Sequence, residues 1–167
     1  MLCNMAKFES YQSLENFFSS SYEDLDVNQY DFCYIYSDLR TFASKMVYGF
    51  EKNKFCSSII NPLLKSKKTI IIPTFTYTTE GVFEVEKTPT KLGALNSWIL
   101  KQNNMKRSEH PMFSFASLGP KSSIVEKCGK SAFGSDSIHE RLRGKKCCII
   151  NIGRPIEFGN TLLHNVE

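Results

Sequence analysis

Three short apolar runs constrain the fold of this chain most: DFCYIY at residues 31–36, TIIIPTF at 69–75 and CCIINI at 147–152. The second and third are rich in β-branched residues, and each run is followed at once by a polar or turn-forming residue, as buried parallel strands are. Between them, residues 58–65, 92–101, 121–127 and 137–142 have helical character, the last stopped by Gly144. Strands alternating with helices predict an α/β class: a layered α/β/α fold with a central, largely parallel sheet. Residues 1–29 carry an amphipathic helix near 11–18 and an acidic turn at 23–26, expected to cap the sheet.

A chain of 167 residues with 41% hydrophobic content suffices for one core and is too short for two ordinary domains. One domain over 1–167 is therefore expected. The net charge of +4 is spread over lysines mixed with acids, which excludes a basic nucleic-acid stripe. No apolar run approaches the roughly 20 residues of a membrane span, and MLCNMAKFESYQ lacks the apolar core of a signal peptide. The expected location is the cytoplasm, without a membrane or nucleic-acid partner. The six cysteines form no CxxC pair and no zinc spacing, so they read as reduced core thiols and no metal is expected.

Ligands of open α/β sheets gather beyond the carboxyl ends of the strands, which selects Ser37–Arg40, Thr74–Tyr77 and Gly153–Arg154. Motifs fall at the same places. In order they are YSDLRTFA (36–43), IIIPTFT (70–76), KTPTKLGALNSWIL (87–100), RSEHPMFSFASLG (107–119), FGSDS (133–137) and NTLLHNVE (160–167). From about Asp31 to Glu167 this series resembles the aminoglycoside 3-N-acetyltransferase family, also called the antibiotic N-acetyltransferases. Against the family pattern, Tyr36 replaces a histidine, Asp38 a serine, Ala43 a glycine and Ile138 a proline. Members of the family are longer than this chain, which stops where they continue.

The resemblance implies acetyl transfer from acetyl-CoA to a primary amine of an aminoglycoside or related amino sugar, a small-molecule acceptor. A homodimer is compatible with it. Coenzyme contacts are expected from Ser37, Asp38, Leu39, Arg40, Thr74, Phe75, Arg107, Ser108 and Ser114. Guanidinium groups suit phosphate oxygens, so Arg107, with Lys106 beside it, is expected on the coenzyme phosphates. An ammonium cannot attack a thioester, so a base must take its proton. His164 is expected to be that base, with Glu167, three residues on, orienting the imidazole. Backbone donors after Phe75 or at Ser37 are expected to stabilise the oxyanion.

The long loop at 76–90 is read as substrate-facing. Its Glu80, Glu84 and Glu86 suit a cationic acceptor and Tyr77 a sugar ring, although solvated acids and a core tyrosine fit those residues equally well. His110 is expected to hold the cleft wall through a backbone carbonyl. His139 and Glu140 are expected to face solvent, with Ser135 and Ser137 capping the helix. Two further readings stay open: an amino-sugar acetyltransferase of glycan or secondary-metabolite assembly, and a coenzyme-binding chain without turnover. A cysteine nucleophile is argued against by the apolar settings of Cys33, Cys147 and Cys148. A base so near Glu167 is expected to be loosely held and this chain weakly active at most.

Overall fold

All three apolar runs are strands in the computed structural model, which describes residues 7–47, 49–77, 81–129 and 131–155. They are β1 (Phe32–Ser37), β2 (Thr69–Pro73) and β5 (Cys147–Ile152). β1 lies between the other two and is parallel to both. The expected fold class is found, with one difference in the sheet. Two strands from the RSEHPMFSFASLG region, β3 (Lys106–Arg107) and β4 (Phe115–Leu118), pair antiparallel, and β4 adds antiparallel to β2. The order is β3-β4-β2-β1-β5. The alternation Phe113, Ser114, Phe115 is the local strand signal in this segment.

Both faces of the sheet are covered, which explains the continuous apolar strands. Cys33, Ile35, Ile70 and Ile72 point into one core with α1 (Tyr11–Asp24), α3 (Lys52–Lys65) and α4 (Ala94–Ile99). Phe32, Tyr34, Tyr36 and Ile71 point into the other, under the 3-10 turn Ser122–Val125 and α5 (Ile138–Leu142). Ile70, Ile71 and Ile72 are all fully buried, worth about 1.5–3 kcal/mol each. A capping box at Ser10 starts α1, and Tyr22 ties it to α3 by donating to the Ile59 carbonyl at 3.0 Å. α3 begins at Lys52 rather than near residue 58. The expected helix at 121–127 shrinks to the 3-10 turn, because Glu126 turns extended (φ −75°, ψ 146°) directly after Val125. No helix among the described residues is long and apolar enough to cross a membrane.

The carboxyl ends of β1 and β5 are drawn together, the Asp38 amide donating to the Ile152 carbonyl at 2.8 Å. Gly153 makes this approach feasible. Its φ is +64°, and a Cβ there would collide with the Asp38 carbonyl oxygen. Gly153→Ala is therefore expected to cost about 2–4 kcal/mol and to lower the melting temperature by roughly 5–15 °C in scanning calorimetry. An unchanged transition would mean that the strand ends part freely.

Candidate active site

Beyond these joined strand ends lies a cavity of about 700 Å³. That volume is in the usual range for small-molecule and cofactor sites. Its lining combines Ser37, Asp38, Leu39 and Arg40 after β1 with Phe50 and with Phe55 of α3. Ala43, Gly93 and Ala94, the last two at the start of α4, and Arg154 and Pro155 after β5, complete it. Arg40 opens the short helix α2 (Arg40–Ala43) and turns back onto Asp38. Its Nε reaches both carboxylate oxygens at 2.9 and 3.1 Å, and its Nη2 reaches Oδ2 at 2.5 Å. The Arg40 guanidinium, with Arg154 further off, holds the Asp38 carboxyl at about 2, so it stays charged and offset. Arg154 in turn lies over the Tyr36 ring, 5.9 Å from its centroid.

A second polar cluster sits where β3, β4 and the end of β2 meet, and its residues do not line the cavity. Arg107 is 4% exposed. Its Nε donates to Ser114 Oγ at 3.2 Å and its Nη2 to the Thr74 carbonyl at 3.0 Å. Its Nη1 donates to the Val85 and Thr88 carbonyls at 3.0 and 2.5 Å, while the Phe83 ring stacks 5.0 Å from Cζ. Ser114 Oγ also lies 2.9 Å from the Thr74 carbonyl, and Ser108 Oγ accepts the Phe115 amide at 2.9 Å. Burial draws Arg107 down to about 10, which leaves it protonated at neutral pH.

The family profile of the aminoglycoside 3-N-acetyltransferases matches residues 54–167. This chain belongs to that family. A search of curated proteins finds no match. The fold is similar to that of YokD protein from Bacillus subtilis, at 16% identity and a TM-score of 0.71, over 94% of this chain and 69% of that one. It is also similar to AAC-VIa bound to sisomicin, at 18% identity and a TM-score of 0.74, over 95% of this chain and 64% of the other. Aminoglycoside acetyltransferase AAC(3)-Xa gives 15% identity and a TM-score of 0.76, over 90% and 59%. At such identities the likeness is one of fold, and the chain spans about three fifths to two thirds of these structures.

Within this acetyltransferase fold the expected coenzyme residues separate into two groups. Ser37, Asp38, Leu39 and Arg40 line the cavity. Thr74, Phe75, Arg107, Ser108 and Ser114 are at most 4% exposed and do not line it. Arg107, expected on the coenzyme phosphates, is buried away from the cavity lining, and its guanidinium bonds carbonyls that tie the loop at 83–88 to the sheet. Lys106 turns to Glu126 at 3.1 Å instead of joining it. The Thr76 amide, expected at the oxyanion, donates to the Met112 carbonyl at 3.1 Å. The cavity also takes Arg154, at a strand end selected from the sequence, and Phe50, Phe55, Gly93 and Ala94, which were not expected there. Gly93 and Ala94 lie in a quoted motif, whereas nothing local in the sequence ties Phe50 or Phe55 to β1.

The residues expected on the acceptor side are partly described. Tyr77 is 46% exposed with its ring edge-on to Phe75 and Phe113, and Glu84 pairs with Lys87 at 2.6 Å. Glu86 is exposed, and Glu80, His164 and Glu167 lie outside the described residues. His110, expected to hold the cleft wall through a backbone carbonyl, does not line the cavity, and its Nδ1 accepts the Met112 and Phe113 amides at 3.2 and 3.1 Å.

His139 corrects a further expectation. Glu140 is exposed as expected, but His139 is 2% exposed, stacked on Phe133 at 5.3 Å and edge-on to Tyr34 and Phe115. Ser137 alone caps α5. Neither His139 nitrogen has a hydrogen-bond partner among the described residues, and burial drives its pKa to about 4. The unfolded chain therefore takes up this proton near pH 6.5 and the folded one only near 4. Stability contributed by the neutral ring is present above the unfolded value and is lost as pH falls between them, up to about 3 kcal/mol. His139→Phe is expected to flatten this acid limb in denaturant titrations at pH 7 and pH 4. Equal slopes for both proteins would refute the assignment.

Proposed function

We propose that the cavity beyond β1 and β5 binds acetyl-CoA, and that the chain transfers the acetyl group to a primary amine of an aminoglycoside or related amino sugar. The observation that carries this reading is a cavity of about 700 Å³ with the family's Ser-x-Leu-Arg residues, Ser37, Leu39 and Arg40, on its wall. Leu39, Phe50 and Phe55 offer an apolar surface for a pantetheine arm. Arg40 and Arg154 supply the two guanidinium groups for phosphates, in place of Arg107.

His164 takes a proton from the acceptor ammonium, and Glu167 orients its imidazole. The freed amine attacks the thioester carbonyl, the C–S bond breaks, and coenzyme A leaves as its thiol without an acyl-enzyme intermediate. The acids of the loop at 80–86 attract the polycationic acceptor. Such a reaction fits a cytoplasmic protein.

Isothermal titration with acetyl-CoA, followed by thiol release against sisomicin, apramycin, gentamicin and simple amino sugars, tests the reading. Saturable binding and amine-dependent thiol release support it. A folded chain that binds no acetyl-CoA overturns it, and binding without release for any amine would leave a coenzyme-binding protein. Replacing Arg40 and Arg154 together by alanine is expected to weaken acetyl-CoA roughly tenfold while sparing an acetyl-pantetheine that lacks the phosphates. Equal weakening of both ligands would place the phosphates elsewhere.

A further inference from the structure

We propose that Cys33 and Cys148 are a modification site, a thiol pair that peroxide closes to a disulfide across β1 and β5. The two residues are register partners on adjacent parallel strands. Their side chains share the face covered by α1 and α3, and their sulfurs are 3.8 Å apart with a hydrogen bond between them. Neighbouring strands run about 4.8 Å apart, within the Cα separations that disulfides span. Rotation of the two side chains brings the sulfurs to the roughly 2.05 Å of a bond.

The partners are unequal, as a peroxide-reactive pair requires. Cys33 is fully buried, and its bond to Cys148 together with burial keeps it protonated. Cys148 is half-buried on the edge strand, next to the exposed Ile149. The hydrogen bond with Cys33 draws the Cys148 thiol below its ordinary value, helped by the Lys68 ammonium. Cys147 has no part in this, because it packs on the opposite face with Phe32 and Tyr34. Cys128 spends its thiol on the Ile124 and Val125 carbonyls.

In the reaction the Cys148 thiolate attacks one peroxide oxygen and the O–O bond breaks. The departing hydroxide takes a proton and leaves as water, and Cys148 becomes a sulfenic acid. The Cys33 sulfur then displaces the hydroxyl from Cys148, its proton going to that oxygen, so that a second water leaves as the S–S bond forms. Two thiols have lost two electrons and hydrogen peroxide has gained them. The cross-link closes a loop of 115 residues and fastens the strand whose end carries Gly153 and Arg154.

The test is to treat the reduced protein with hydrogen peroxide, alkylate the remaining thiols and map the peptides by mass spectrometry. The expected product joins the Cys33 and Cys148 peptides with the loss of two hydrogens, and raises the melting temperature by roughly 5 °C or more until reductant is added. Cys33→Ser is expected to stop at a Cys148 sulfenic acid that dimedone traps. The wild-type map decides even where that variant fails to fold. Sulfinic acid at Cys148 without a cross-link, a cross-link to another cysteine, or both thiols surviving peroxide that oxidises free cysteine would each overturn the proposal.

Discussion

Arg107→Ala is expected to lower the melting temperature by roughly 10 °C and to release the loop at 83–88 from the sheet. The guanidinium is 4% exposed and makes four hydrogen bonds, to Ser114 Oγ and to the carbonyls of Thr74, Val85 and Thr88. Of these acceptors, Thr74 keeps a second donor in Ser114 Oγ. Hydrogen bonds to a charged donor contribute about 1.5–3 kcal/mol each, and their losses overlap here, so a total of about 3–5 kcal/mol is the working figure. At this chain length each kcal/mol moves the transition by about 2–4 °C. Arg107→Lys does not restore it, because one ammonium cannot reach acceptors set around a planar fork. Thermal melts and limited proteolysis at residues 83–88 check both points. If Arg107 were instead a phosphate ligand, the variant would melt as the wild type does and lose coenzyme affinity alone.

His164→Ala is expected to reduce acetyl transfer by about 10²- to 10⁴-fold, the usual contribution of a general base, while leaving acetyl-CoA affinity as it was. The unequal effects distinguish a proton acceptor from a residue that merely supports the cavity. Glu167→Gln should cost less, since it removes an orienting charge and not the base. Steady-state thiol release, paired with titration calorimetry on the same preparations, measures both. Retained turnover in His164→Ala would place the base elsewhere.

Residues 31–36, 69–75 and 147–152 were legible as strands because strands buried on both faces are apolar throughout, a local property. The helix caps were legible for a similar reason: Ser137 precedes the amide of Glu140 that it binds. Errors arose where burial depended on distant residues. His139 sits in a polar heptapeptide, SIHERLR, and looked solvated. Phe133, Tyr34 and Phe115, from three separate parts of the chain, enclose it.

The site divides along the same line. Family membership and the position of Ser37–Arg40 at a strand end were contained in the sequence, because motif order and strand ends are read along one dimension. Which cations face the cavity was a tertiary matter. Arg107 lies in the better motif, yet β3 pairs with β4 and turns its guanidinium inward to carbonyls. Arg154 follows a glycine whose left-handed turn brings it beside Asp38 and over Tyr36. Sequence by itself determined the three apolar strands β1, β2 and β5 and the chemistry at their ends, but not β3 and β4. Only the pairing of those strands decided which charges are desolvated in the core and which are left to meet a ligand, because desolvation depends on every neighbour in space and not on the neighbours in sequence.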